Sequence, residues 1–301
     1  MVHSTTHSST PATWKKDPGL RFRMILTTFL LFALYIFFLA AITTYFDVGL
    51  ILMAAIFGLF SLGQWYFSDK LALRSMGARI VNATEYPDLH ASITRLAWQA
   101  DLPTPKIAVS SIQTPNAFAT GRSKNHAAVC VTEGLLKLLN EDELEGVIAH
   151  ELAHIKNKDV TIMTIASFLS TIAFLIVRWG FFFGGGRNNR GSAPIYVAIA
   201  ISFAVWIISF FLIKALSRYR EFAADRGAAT ITQKPAALAS ALRKISAGIS
   251  MLPPGGELKS QSEMNAFFII PIRKGFIGKF FKTHPPMEER IERLNELQYN
   301  F

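Results

Sequence analysis

His150-Glu151-Leu152-Ala153-His154 is the stretch that decides this chain. Positions four apart on a helix share a face, so both imidazoles can turn toward one metal ion with Glu151 beside them. The flanks support a helix. Asn140-Glu141-Asp142-Glu143-Leu144-Glu145 opens with a capping residue and first-turn acids, and Val147, Ile148, Leu152 and Ile155 supply an apolar face that leaves the histidines on another. This is half of a zinc peptidase site.

Outward from that helix, long apolar runs set the class. About half of the 301 residues are hydrophobic (51%), and four uncharged runs are long enough to cross a bilayer: residues 24–46, 48–67, 160–177 and 195–213. Residues 24–67 therefore predict one transmembrane hairpin, turning at Asp47-Val48-Gly49, and residues 160–213 a second, joined through a glycine-rich loop at 184–191. The first run follows Lys15, Lys16, Arg21 and Arg23, but it is too long for a signal-peptide core and lacks a small-residue cleavage pattern, so it reads as an uncleaved span. Residues 1–23 form a polar, then basic, tail rich in Ser and Thr that is not expected to fold.

Basic residues give the orientation. Lys15, Lys16, Arg21, Arg23, Lys70, Arg74, Arg79, Lys156, Lys158, Lys214, Arg218 and Arg220 cluster at one set of span ends, against Arg187 and Arg190 in the loop at the other. The positive-inside rule puts the motif and both termini in the cytoplasm, and a cell-membrane protein follows. The same asymmetry accounts for most of the net charge of +10. No nucleic-acid-binding motif accompanies it, so the partners expected are the lipid bilayer and protein substrates. Cys130, the only cysteine, excludes an intrachain disulfide and a multi-cysteine zinc site, and its apolar neighbours read as a buried strand.

The soluble parts are residues 68–159 and 214–301. The first predicts a helix near 87–100, short strands at 106–110 and 126–132, and a possible edge strand at 116–120, hence a small sheet packed against the metal helix. The second predicts helices over 215–230, 235–248 and 287–297, with an irregular region from Leu252 and an aromatic, basic stretch at 276–281.

Two histidines leave a catalytic zinc short of its usual three protein ligands. The third must be one of His3, His7, His90, His126 and His284, or a carboxylate. Glu221 stands out because Asp225, one turn further on, could hold the outer nitrogen of a ligating histidine.

Taken together, Ser217-Arg218-Tyr219-Arg220-Glu221-Phe222-Ala223-Ala224-Asp225, the H-E-x-x-H helix, Asn116-Ala117-Phe118-Ala119 and Thr283-His284-Pro285-Pro286 resemble the HtpX-type membrane metalloproteases of the M48 group, which also holds the Ste24-type prenyl proteases. The resemblance spans nearly everything after the N-terminal tail. It implies an α-helical membrane protein with an α+β, gluzincin-like protease domain, one zinc ion per chain, and membrane-protein quality control as the task. By residue, it implies His150, His154 and Glu221 as metal ligands and Glu151 as general base. Asp225 and Arg290 would support the ligands, Asn116, Ala117 and Phe118 would face the substrate, and His284 would sit near the reacting carbonyl. The competing readings are a CAAX prenyl-protein processing protease, which resembles a larger bundle around a chamber, and a non-catalytic membrane scaffold or transporter, which expects no metal.

Overall fold

A computed structural model describes residues 17–45, 58–59, 62–63, 65–183, 192–251 and 285–299. The start of the tail, the turn at Asp47-Val48-Gly49, most of the second run, the glycine-rich loop, the region from Leu252 through 276–281, and His284 lie outside them. The chain divides into two compact units, one of Asp69–Lys158 with Glu221–Phe301 and one of Asp17–Ser68 with Asp159–Arg220.

The described elements are α1 (Pro18–Tyr45), α2 (Ser68–Ser75), β1 (Ala78–Ile80), α3 (Pro87–Gln99), β2 (Lys106–Ser110), β3 (Ala117–Thr120), β4 (Ala128–Thr132), α4 (Glu133–Leu138), α5 (Glu141–Asn157), α6 (Asp159–Phe183), α7 (Ser192–Thr232), α8 (Pro235–Met251) and α9 (Met287–Gln298). Two of these helices hold stretches long and apolar enough to cross a membrane, Pro18–Phe38 and Ile199–Thr232; a shorter apolar stretch, Asp159–Phe174, lies in α6. Where the sequence predicts a span at 195–213 and a separate helix at 215–230, α7 is continuous over 41 residues. Leu212 to Ser217 contains no glycine or proline to interrupt it.

In the second unit, Leu31, Tyr35 and Phe38 of α1 pack with Ala166, Ile172 and Ala173 of α6 and Val205 and Leu216 of α7. Two polar contacts join these helices: the Tyr35 hydroxyl donates to Ala166 O at 2.5 Å, and the Ser209 hydroxyl donates to Ser170 Oγ at 2.9 Å. Phe22, Phe29, Phe32 and Phe37 lie exposed along α1, an apolar surface suited to lipid rather than water.

The first unit is built on a four-stranded sheet in the order β1-β2-β4-β3. β2 and β4 are parallel (Lys106 opposite Ala128, Ser110 opposite Thr132), while β1 and β3 run antiparallel to their neighbours. Every residue of β4 is buried, the mark of a central strand covered on both faces. β3 is left as an edge, and α5 packs against it, against α3 and against α8.

The start of α5 is fixed by a reciprocal cap: Asn140 Oδ1 accepts the Glu143 N–H at 2.9 Å, and Glu143 Oε2 accepts the Asn140 N–H at 3.0 Å. Its end is a left-handed residue, Lys158 at φ 58°. Val147, Ile148 and Leu152 enter the core with Ile93, Leu96, Leu242 and Ile245. Gly146 allows the closest approach to α8, since a Cβ there would lie 3.0 Å from Leu238 N. These contacts fix the rotation of α5 about its axis, and so the direction in which His150 and His154 face.

Candidate metal centre

His150 and His154 stack edge to face, ring centroids 4.7 Å apart, with their Nε2 atoms 3.1 Å from each other. α7 brings Glu221 onto the pair: Oε2 lies 3.6 Å from His150 Nε2 and Oε1 lies 3.6 Å from His154 Nε2. One ligand atom from each of the three falls within 4.8 Å of the others. In a tetrahedral site with bonds of about 2.0–2.1 Å, donor atoms stand about 3.3–3.4 Å apart. The two ring nitrogens at 3.1 Å, with one Glu221 oxygen 3.6 Å from each ring, come near that spacing, a different carboxylate oxygen facing each histidine. Two imidazole nitrogens and a carboxylate, all largely buried, also match the donor chemistry of a borderline-soft divalent ion.

The surrounding charges orient these donors. Asp225 Oδ1 is 3.0 Å from His150 Nδ1, which sets a carboxylate beside the outer ring nitrogen and leaves Nε2 on the side of His154 and Glu221. Arg290 of α9, with no exposed surface, donates from Nε to Asp225 Oδ2 at 2.9 Å and from Nη2 to Asp225 Oδ1 at 2.6 Å; its Nη1 is 3.3 Å from Glu221 Oε2. Arg293, one turn on, lies over the Phe222 ring at 3.8 Å. Thus α9 meets the two acids of α7 with one fully buried cation.

Burial favours the neutral form of His150, but the Asp225 and Glu221 carboxylates outweigh it and lift the imidazole to about 9. Burial likewise works against an ionised Asp225, yet Arg290 and His150 hold it below the usual carboxylate range. Glu151 is raised, by burial first, with His154 and His150 opposing. Its Oε2 accepts the backbone N–H of Ala119 at 2.7 Å, which aims the carboxylate at the side of the histidine pair facing β3.

Of the residues singled out from sequence, the structure gathers His150, Glu151, His154, Glu221, Asp225 and Arg290 into one cluster. Ala117 and Phe118 are buried in β3; Asn116 just before it is fully buried, donating its N–H to Thr132 Oγ1 at 2.9 Å and accepting the Thr132 N–H at 2.9 Å. His90 and His126 are engaged elsewhere, with Val81 O and with Ser123 Oγ, both at 3.0 Å. Ala119 is the group that reading side chains overlooks. It acts through its main chain, and only its place on an edge strand hints at a role.

A helix-borne H-E-x-x-H beside a strand edge, completed by a carboxylate from a later helix, has its use in metallopeptidases. The comparisons agree: the profile described as Peptidase family M48 matches residues 83–298, and the chain belongs to that family. It is 52% identical over 289 residues to Protease HtpX homolog 2 of Methanosarcina mazei, covering 95% of this chain and 97% of the relative. It is 49% identical over 292 residues to the Protease HtpX homolog of Moorella thermoacetica, covering 94% and 95%. A solved structure titled Crystal Structure of S. mikatae Ste24p matches with a TM-score of 0.56 at 18% identity, over 93% of this chain and 67% of that one, which is a likeness of fold. The protein is a membrane metalloprotease acting on protein substrates, and the scaffold or transporter reading falls away.

Proposed function

We propose that this chain is a zinc-dependent endopeptidase of the cell membrane that cleaves misfolded or membrane-associated proteins at the cytoplasmic face. In this reading four spans, at 24–67 and 160–213, carry a gluzincin-like protease domain formed by residues 68–159 and 214–301, with both termini cytoplasmic. The observation that carries it is the triangle of His150 Nε2, His154 Nε2 and Glu221 carboxylate oxygen beside Glu151.

His150, His154 and Glu221 hold the zinc, one ion per chain. When bound, zinc supplies a Lewis acid that makes water a competent nucleophile near neutral pH. Glu151 takes the proton of the attacking water and delivers it to the leaving nitrogen, which departs poorly as an anion. The Ala119 N–H keeps the Glu151 carboxylate in one orientation during that transfer. Asp225 fixes the His150 ring, and Arg290 offsets the charge of Asp225 and Glu221. The substrate docks as an added strand alongside β3, in the segment of Asn116, Ala117 and Phe118. His284 would donate a hydrogen bond to the charge developing on the substrate carbonyl oxygen.

The test measures bound metal and cleavage of an unstructured protein in the same preparations. Glu151→Gln is expected to keep one equivalent of zinc and lose at least a hundredfold in rate, while Glu221→Ala loses the zinc as well. A Glu151→Gln protein that cleaves at the wild-type rate overturns the assignment. A prenylated CAAX peptide assayed alongside separates this reading from prenyl-protein processing.

A further inference from the structure

An ion pair between Arg220 Nη2 and Asp159 Oδ1 joins α7 to the start of α6. Both residues are buried, Arg220 at 3% exposure and Asp159 at 8%. Asp159 follows His154 by five residues, just after the left-handed Lys158 that ends α5, and Arg220 directly precedes Glu221. Two of the chain's crossings between the compact units fall at these same points, Lys158 to Asp159 and Arg220 to Glu221. The pair therefore ties the segment leaving the histidine helix to the segment leading into the third donor.

A buried pair of full charges is a poor source of stability. Taking both out of water offsets much of their attraction, and an apolar pair of similar size often does as well. What the charges add is direction, because an apolar contact tolerates sliding and rotation whereas a guanidinium on a carboxylate restricts both.

α7 runs unbroken through Arg220 and Glu221. Neighbours on a helix point about 100° apart, so the direction of Arg220 sets that of Glu221. With side chains reaching about 5–6 Å from the axis, a rotation of about 20° would carry the Glu221 carboxylate about 2 Å, the length of a zinc–oxygen bond. Beyond Glu221, α9 holds α7 through Arg293 on Phe222 and Arg290 on Asp225. Before Glu221, the hold is Arg220 on Asp159. The start of α6 is itself anchored, since Thr161 Oγ1 accepts the Trp65 Nε1 hydrogen at 3.2 Å.

We infer that Asp159 and Arg220 are positioning residues for the metal: their pair fixes the rotation of α7 and so holds Glu221 where it meets His150 and His154. This rests on the reading of Glu221 as a ligand and adds two residues outside the donor triangle.

The experiment uses the full-length protein in neutral detergent, with zinc affinity measured by competition against a chromophoric chelator and the unfolding midpoint measured without metal. Asp159→Leu/Arg220→Met is expected to keep a midpoint at or above that of the wild type and to bind zinc about fivefold or more weakly. The charge swap Asp159→Arg/Arg220→Asp is expected to bind zinc more tightly than either of its single changes. Tyr35→Phe, which removes the hydroxyl donated to Ala166 O, is expected to lower the midpoint without changing zinc affinity. Wild-type affinity in the apolar double variant, a swap no better than its single changes, or equal weakening by Tyr35→Phe overturns the inference. Should the apolar double variant fail to fold, Arg220→Lys decides: it keeps the charge without the planar guanidinium, and wild-type zinc affinity there overturns the inference too. Glu221→Ala is measured alongside. If it binds zinc like the wild type, the ligand reading itself falls; if it loses the zinc while the pair variants keep it, only the positioning role does.

Discussion

Arg290 closes on Asp225 through two hydrogen bonds, Nε to Oδ2 at 2.9 Å and Nη2 to Oδ1 at 2.6 Å, and the same Oδ1 stands 3.0 Å from His150 Nδ1. A guanidinium can make this planar, two-point grip and an ammonium cannot. Arg290→Lys should therefore weaken zinc binding at least tenfold and lower the unfolding midpoint, because two buried carboxylates lose their matched partner. Removing the cation altogether, as in Arg290→Ala, should cost about 3 kcal/mol or more. Zinc titration and thermal unfolding in detergent check both.

Metal removal provides a second expectation. Because the two ring nitrogens already stand 3.1 Å apart with a Glu221 oxygen 3.6 Å from each, a chelator should strip the ion without unfolding the protein, and added zinc should restore cleavage. With His150 held near 9 in the metal-free site, rebinding at pH 7 should release a proton. Calorimetry in buffers of different ionisation enthalpy reads that proton directly.

Glu143 ties α5 to α8 as well as capping it: Ser240 donates to Oε1 and Lys244 to Oε2, both at 2.7 Å. Burial alone would raise its pKa, but Lys244, Ser240 and the Asn140 N–H together hold it below the ordinary 4.5. A folded pKa below the unfolded one means stabilisation that is full above about pH 4.5 and lost as pH falls through the folded value. Glu143→Gln should destabilise by about 1 kcal/mol at pH 7, a figure that discounts half-exposed Lys244 for screening, and the difference from wild type should shrink below pH 4.5. Unfolding midpoints at pH 7 and pH 4 test it.

Cys130 has no accessible surface, and burial pushes its thiol up to about 12. It should resist thiol reagents in the folded protein and react stoichiometrically after denaturation. A mass shift on the native protein would show that β4 opens readily.

Much of the protease unit is legible in the sequence because its signals are local. The cap at Asn140, the Val and Ile content of 106–110 and the proline at 235 each act within a few residues, and α5, β2 and α8 stand where these point. β1 escaped notice, since Ala78–Ile80 is three residues long and offers no alternating pattern to detect. Strand β4 begins two residues later than the expected 126 because Lys124–His126 form a 3-10 turn instead. The site divides along the same line. His150 and His154 are neighbours by helical period, whereas Arg290 meets Asp225 across 65 residues and His150 across 140, separations that no periodicity encodes. Arg290 entered the sequence reading only through the family resemblance. Ala119 entered only as part of the Asn116–Ala119 motif and the expected edge strand, with no role of its own, because all it offers Glu151 is a backbone N–H.

The separation between His150 and Arg290 also has a meaning in time. A ribosome adding about 5–20 residues per second needs roughly 7–28 s to travel the 140 residues from one to the other. Throughout that interval the histidine pair exists, but the cation that lets Glu221 and Asp225 sit buried beside it does not. Translation thus completes the centre late, once every other described strand and helix of the chain has been synthesised.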